Sequence, residues 1–587
     1  MKWNPHTRVI TVGVFITCIF TIFSARLIYL QVGCHEEFTT LAAQKNSIRQ
    51  VIPARRGKIL DASGEVLATD CPTRTVIADS SHIKDASALA KIVAPFVEMP
   101  EADVFKKLQS TSKYIVIRHG LAEEKAVELI AAVQKAKMRG IYFEQTAERI
   151  YPNGSLLGHV IGFLNNETKG IQGIEMSMND YLKGENGFRH IERDRTGREI
   201  VVYRGLESAQ KNGADVELTI NMALQSILEE ELEKSSNEIK PRSISGLLVR
   251  TSTGEILAMA NRPHFDPNQP GDANPDAMKN RVILDMVEPG STFKIVAVSA
   301  ALNEKLVKPE TSIFCENGAY AYGGKVLHDS HPYGSLSVHD IIVKSSNIGS
   351  SKLAQKVGNQ VFYEYIRRFG FGDRTGIDLP GEIPGMVHPP HRWSKISITR
   401  IPMGHEIAVT PLQMTMAMSA VANGGKLMLP QIINRIVAED GEEIHRFKPQ
   451  VVREVIPPEV AAMVRSALAD VVGDEGTARL AAVQGYTVGG KTGTAQRVDP
   501  KGGYTPNKYV VSFCGFLPAD KPEFTPLIIV DDPSHLQTKT YGGLVAAPIF
   551  SRVSERAARY LDIPTTINES ILVSNTASKG NAKTKTR

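Results

Sequence analysis

STFKIVAVSAALNEKL, residues 291–306, follows the breaker pair Pro289-Gly290 and is apolar on almost every face through Leu302. A segment of that length and hydrophobicity reads as a buried core helix, too short to cross a membrane. Yet its first turn carries a hydroxyl, Ser291, and one turn later, on the same side, stands Lys294. A serine hydroxyl is a poor nucleophile until a base accepts its proton. A lysine titrates at about 10.4 in water, but burial disfavours its charged form and lowers that value. Phe293, Ile295 and Val296 supply such burial. The helix N-terminus adds free N–H groups and a partial positive charge beside the hydroxyl, suited to an oxyanion. Ser291 is therefore a candidate nucleophile and Lys294 its candidate base.

S-x-x-K alone is a weak signal, since it recurs at Ser81/Lys84 and Ser110/Lys113 in contexts that read as solvated surface. Two more clusters strengthen it. KSSNIGS (344–350) places Ser345 and Asn347 at S-x-N spacing ahead of a helical stretch, a pattern that by itself is commonly a helix cap. TVGGKTGTAQ (487–496) sets Lys491, Thr492, Gly493 and Thr494 on an expected strand, where Gly489, Gly490 and Gly493 permit close approach of a ligand backbone. K-T-G by itself is often a turn. In this order, within one coherent half of the chain, the three clusters are the signature of an acyl-transferring serine.

Outward from these clusters, SGLLVRTSTGEILAMAN (245–261) reads as strand, turn and strand, followed by the Ser291 helix and further helices over 339–358 and 410–425. Strands are expected in TVGGKTGTAQ, YVVSFCGFLP and FTPLIIVDDP, and a last helix in VAAPIFSRVSERAARYL. This order predicts an antiparallel sheet flanked by helices, and with the first half an α+β protein. In the first half a hairpin is expected around Ala62-Ser63-Gly64. Helices follow over 85–98, 101–110 and 121–138, with strands at 114–119 and 140–151. Residues 150–240 are glycine-rich and read as short strands (GHVIGF, GIQGIE, FRHIERD, ADVELTI) ending in the helix MALQSILEEELEKS. Together they form an elongated α/β region with no dense catalytic cluster.

The run VITVGVFITCIFTIFSA (9–25) makes a helix of about 26 Å at 1.5 Å per residue, close to the hydrocarbon thickness of a bilayer. Phe23 spoils a signal-peptide cleavage site before Ala25, so the run reads as a retained anchor, and Lys2 and Arg8 before it favour an N-terminus inside. The 587 residues carry a net charge of +5 without a long basic run, which argues against nucleic acid as a partner. Cysteines 18, 34, 71, 315 and 514 show no C-x-x-C spacing, and His388 and His391 lack a nearby partner, so no metal site is expected. Cys34, in LQVGC, only faintly resembles a lipid-attachment box, because Gln31 stands where an aliphatic residue is preferred.

At these residues the chain resembles the class B penicillin-binding proteins, membrane-anchored peptidoglycan D,D-transpeptidases, of the division (septal) type. PARRGKILDASGEVLA (53–68), ERIYPNGSLLGHVIGF (148–163) and GIQGIE (170–175) are similar to the family's pedestal motifs. In the second half the matching stretches are TGEILAMANRPHFDPN (253–268), FGFGDRTGIDLPGE (369–382), VTPLQ (409–413), YVVSFCGFLPAD (509–520) and YGGLVAAPIF (541–550). Asn221 stands where the family often has an acid, and GHEIAVT (404–410) carries His-Glu where small residues are more usual. The resemblance implies a cytoplasmic tail (1–8), a single transmembrane helix (9–30), a pedestal for dimerisation or partner binding (31–243), a penicillin-binding transpeptidase domain (244–562) and a disordered tail (563–587).

The resemblance also implies roles. Ser291 attacks the penultimate D-alanine carbonyl of a donor stem peptide, and Lys294 takes its proton. Ser345 relays a proton to the departing D-alanine, and Asn347 bonds the peptide amide. Lys491 and Thr492 hold the terminal carboxylate, Gly493 lets the strand approach, and the N–H groups of Ser291 and Thr494 form the oxyanion hole. A neighbouring amine then completes the cross-link, with no metal or cofactor. β-Lactams acylate the same serine. Implied partners are the cytoplasmic (inner) membrane, a membrane glycan polymerase and other division proteins, with the catalytic part outside (periplasmic). The rival readings are a D,D-carboxypeptidase, indistinguishable by motif, and a non-catalytic β-lactam sensor or division scaffold. A β-lactamase is disfavoured by the anchor and long pedestal, and a bifunctional synthase by the lack of an acidic glycosyltransferase cluster.

Overall fold

The computed structural model describes residues 4–38, 47–193, 199–499, 502–533 and 541–566. The first three residues, part of the expected connector after the anchor (39–46) and the expected tail from 567 onward lie outside the described residues. The chain forms two compact units, residues 1–55 with 184–212 and residues 56–183 with 213–587.

In the first unit the apolar run is a helix, Pro5–Ile28, with proline in its first turn and no buried residue. With the turn Tyr29–Gly33 it is long and apolar enough to cross a membrane. Its threonines stay compatible with lipid because Thr11, Thr17 and Thr21 donate to carbonyls four residues earlier at 2.7, 2.9 and 2.8 Å. The unit also holds an antiparallel sheet in the order Ser47–Ile52, Gly187–Arg193, Glu199–Ser208.

In the second unit the long strand Val66–Ala78 pairs with Ile115–Ala122 and Ile141–Ile150. The expected hairpin brings Ile59 opposite Ala68. Helices Ala86–Val97, Glu101–Leu108 and Glu123–Lys135 close over these strands around Val76, Leu89, Val93, Val104 and Leu129. GHVIGF and GIQGIE correct the sequence reading, for they are short helices, Gly158–Ile161 and Gly173–Ser177, and not strands. Gly162 and Gly173 both take left-handed backbones, with φ 76° and 59°. A Cβ on Gly162 would lie 1.8 Å from the Gln172 carbonyl oxygen. Glycine there lets the two backbones touch, so Val160, Ile161 and Ile174 bury from helical turns.

The remainder positions the site. Helix α1 (Met222–Ile239) starts at Asn221, whose side chain accepts from the Leu224 N–H at 3.1 Å. Strands β1 (Ser243–Arg250) and β2 (Ile256–Arg262) follow. Next come α2 (Lys294–Asn303), α3 (Asn347–Val357) and α4 (Pro411–Ala422). The VTPLQ stretch starts α4 with a reciprocal cap, in which Thr410 and Gln413 exchange side-chain and backbone bonds at 2.9 and 3.1 Å. Strands β3 (Gly489–Val498), β4 (Tyr504–Phe516) and β5 (Phe524–Asp531) and helix α5 (Gly542–Tyr560) complete the unit. The sheet runs β2-β1-β5-β4-β3, antiparallel throughout. Nearly every residue of β1, β2 and β5 is buried, because α1 and α5 pack on the sheet together and α4 packs on β1, β4 and β5. That double cover is why these strands read as continuous apolar runs instead of alternating ones. At the β2 margin Gln225 of α1 bonds both backbone groups of Met259, at 2.8 and 2.9 Å. At the opposite margin lies β3.

Candidate active site

Ser291 lies in a tight 3-10 turn, Gly290–Phe293, that leads directly into α2. Residues three apart eclipse in such a turn, which keeps Ser291 and Lys294 on one side. The turn is held by the Thr292 hydroxyl, which donates to the Pro289 carbonyl at 2.7 Å. Phe293 packs on Phe371 with ring centroids 5.0 Å apart. Gly290 has φ 56°, and a Cβ on it would lie 2.9 Å from the Thr494 carbonyl oxygen. A Cβ on Gly493 would meet the Ser512 hydroxyl at 2.3 Å and the Pro289 carbonyl oxygen at 2.9 Å. The breaker pair before Ser291 and the K-T-G strand are therefore backbone neighbours, and two glycines make that approach possible.

Lys294 is the first residue of α2 and has no exposed surface. Its Nζ donates to the Ser345 carbonyl at 2.5 Å and to Asn347 Oδ1 at 2.8 Å, and lies 3.1 Å from Ser345 Oγ. Burial drives its pKa well below the ordinary lysine value, the charge of Lys491 pushes the same way, and Asp329 opposes both. Lys491 is equally buried, and burial lowers it to about 7. Its Nζ lies 3.3 Å from Thr492 Oγ1. Thr494 accepts at Oγ1 from the N–H of Gly542, the first residue of α5, at 3.2 Å.

The S-x-N cluster sits between the helix Val338–Val343 and α3. The cap is its middle residue: Ser346 Oγ accepts from the Gly349 N–H at 2.9 Å. Ser345, left out of the cap, takes φ 61°, an uncommon conformation for a residue with a Cβ, and faces Lys294. Asn347 spends its carbonyl on Lys294 and its amide on the His328 carbonyl, at 3.0 Å. Lys294, Ser345 and Asn347 are thus in direct contact, and the turn of Ser291 abuts Gly493 and Thr494. Ser81, Lys84, Ser110 and Lys113 are all exposed, far from any such setting.

Sequence reasoning missed Asp329. Its carboxylate accepts from the N–H groups of Asn347 and Ile348 and, at 2.7 Å, from the Ser346 hydroxyl. It thereby closes the N-terminus of α3 and is the anion that opposes the loss of charge on Lys294. The only signal in the sequence was an acid in a polar loop, HDS, ahead of a helix start. Among the described residues no group of His, Cys, Asp and Glu is arranged to hold a metal.

Two family models match the chain: the penicillin binding protein transpeptidase domain over residues 244–555 and the penicillin-binding protein dimerisation domain over residues 51–218. Stage V sporulation protein D of Bacillus subtilis is 34% identical over 553 residues, 93% of this chain and 84% of that one. Peptidoglycan D,D-transpeptidase FtsI of Escherichia coli K12 is 31% identical over 545 residues, 92% of this chain and 89% of that one. Among solved structures, penicillin binding protein 3 of Mycobacterium tuberculosis complexed with aztreonam superposes with a TM-score of 0.68 at 28% identity, covering 88% of this chain and 98% of that one. The chain, an α+β protein with one N-terminal apolar helix, a dimerisation domain and a transpeptidase domain built on a helix-flanked sheet, belongs to the class B penicillin-binding proteins.

Proposed function

We propose that this protein is a septal peptidoglycan D,D-transpeptidase that works through a serine acyl-enzyme. The observation that carries the reading is the buried lysine one turn after Ser291, held on Ser345 and Asn347 beside the K-T-G strand. Its Nζ already spends two N–H groups on carbonyl oxygens, so in the neutral form its lone pair remains for a hydroxyl proton. In the first step Ser291 Oγ bonds to the penultimate D-alanine carbonyl carbon while its proton passes to Lys294. The developing oxyanion lies against the N–H groups of Ser291 and Thr494, a stabilisation worth about 3 kcal/mol per donor in comparable sites. Collapse breaks the peptide C–N bond, and D-alanine leaves with a proton delivered through Ser345. The amine of a second stem peptide then attacks the ester, loses its proton by the same route and regenerates Ser291.

β3 is the marginal strand of its sheet, so an extended donor peptide can add alongside it. Asn347 bonds the peptide amide, and Lys491 with Thr492 holds the terminal carboxylate while Gly493 lets the strand sit close. The name of the Escherichia coli relative and the aztreonam complex of the mycobacterial structure support the substrate, the septal role and the β-lactam inhibitors. The reading includes the division at residues 8, 30, 243 and 562, an N-terminus in the cytoplasm, a periplasmic catalytic part, and a glycan polymerase among the division partners.

The test is covalent labelling of the full chain by a fluorescent penicillin, with the adduct mapped by mass spectrometry. Label on Ser291, lost in Ser291→Ala, is the expected result, and equal labelling of that variant overturns the assignment. Incubation with donor and acceptor stem peptides separates transpeptidase from carboxypeptidase: cross-linked dimer against trimmed peptide only.

A further inference from the structure

One side-chain cluster stands three residues from Ser291 and enters none of these steps. The Glu288 carboxylate, only 8% exposed, accepts from His405 Nδ1 at 2.8 Å and from the Glu406 N–H at 3.0 Å. The Tyr504 hydroxyl lies 3.1 Å from each of its oxygens. An imidazole nitrogen that close to a carboxylate carries its proton there, so three donors meet one acid. The two rings also stand edge to face, with centroids 6.0 Å apart. Burial and the charge of Glu288 both raise the Tyr504 pKa, which keeps the phenol a donor.

The donors come from two other elements. His405 and Glu406 belong to the loop after Met403, where Glu406 takes φ 59° and is held at its far end by the Ser397 hydroxyl, 2.5 Å from Oε2. That loop rests on the residue just before Ser291: the Gly290 N–H donates to the Gly404 carbonyl, and a Cβ on Gly404 would lie 2.2 Å from the Gly290 oxygen. Tyr504 belongs to the outer end of the β3–β4 hairpin, where it pairs with Val498. Both residues are about half exposed, so apolar packing does little to hold that end in place. The β3–β4 hairpin thus meets the turn of Ser291 twice, by backbone contact at Gly290/Thr494 on β3 and, further out, by Tyr504 of β4 on Glu288. One attachment would leave the strand free to tilt, and two fix both its distance and its angle.

We infer that Glu288, His405 and Tyr504 form a positioning latch that sets how the 491–494 segment approaches Ser291, and with it where the Thr494 N–H meets the oxyanion. The inference rests on the proposed function. None of the three touches the reacting atoms in this scheme; they act through the turn and the strand.

The experiment uses the full chain in detergent and a fluorescent penicillin, with labelling time courses over a concentration series to separate non-covalent affinity from the acylation rate constant. Tyr504→Phe and His405→Ala are expected to slow acylation by about tenfold, since small misplacements of catalytic groups cost that much or more. Affinity and melting temperature should stay at wild-type values, and His405→Asn, which keeps an N–H donor in place of Nδ1, should recover most of the rate. Acylation within twofold of wild type in both variants overturns the latch. So does a loss that tracks a fall in melting temperature, or an asparagine variant as slow as the alanine one. A wild-type chain that takes no label defeats the proposed function and the latch with it, whereas normal wild-type labelling with unaffected variants defeats the latch alone.

Discussion

Lys294 Nζ lies 2.8 Å from Asn347 Oδ1, although 53 residues separate the two in the chain. The contact joins the first residue of one helix to the first residue of another, and those starts are set by a 3-10 turn and by the Ser346 cap. Small changes at either start therefore move the Lys294 amine relative to the Ser345 hydroxyl.

Replacing Lys294 by alanine is expected to lower the second-order rate constant for penicillin acylation by about 10²- to 10⁴-fold, the usual worth of a positioned base. Lys294→Arg should do no better, because a guanidinium does not lose its proton at accessible pH. Stopped-flow or gel-based labelling kinetics on both variants decide the point.

Lys491 gives a stability prediction with a definite sign. Its folded pKa is about 7, below the ordinary 10.5, so between those values the unfolded chain binds the extra proton. Stability from this group then rises with pH across the window, and the penalty for burying the charge is complete only below pH about 7. Lys491→Met should melt higher than wild type by a margin that shrinks from pH 7 to pH 9. A margin that grows with pH would contradict the assignment.

Asp329→Asn keeps the shape but removes the charge at the start of α3. The expected loss is about 1 kcal/mol of stability, with slower acylation because Ser346 and Asn347, which follow Ser345, lose their anchor. Urea melts and labelling kinetics on the same preparation measure both.

Gly290→Ala places a methyl 2.9 Å from the Thr494 oxygen on a residue with φ 56°. Strand and turn must separate, and acylation should fall by about a hundredfold. Labelling at the wild-type rate would show that this approach does not matter to the chemistry.

Much of the architecture was legible where a pattern repeats locally. The all-round apolar run marked α2 as buried, and β-prone stretches marked β1, β3, β4 and β5. The order of clusters singled out Ser291, Lys294, Ser345, Asn347 and Lys491, and the structure brings Lys294, Ser345 and Asn347 into contact and sets the turn of Ser291 against Gly493 and Thr494. What escaped depends on distant partners. Asp329 reaches α3 from a loop about 18 residues upstream, and neither its type nor its setting advertises that. GHVIGF and GIQGIE looked like strands because a short apolar run cannot by itself tell a strand from a helical turn. Their glycines matter only once Gly162 and Gly173 meet. Likewise, Asp215–Leu218 joins Ile59–Leu60 in parallel and Ile433–Val437 antiparallel, pairings that no local pattern encodes.

The two margins of the β2-β1-β5-β4-β3 sheet differ. Gln225 satisfies the backbone of Met259 on β2, while β3 borders the turn of Ser291. This asymmetry makes the sheet directional. On the proposed function, a stray extended segment finds one rim already occupied at Met259 and is steered to the other, where it would be presented to Ser291. The same marginal rim that would be an aggregation hazard in another protein would, on that function, be the receiving face.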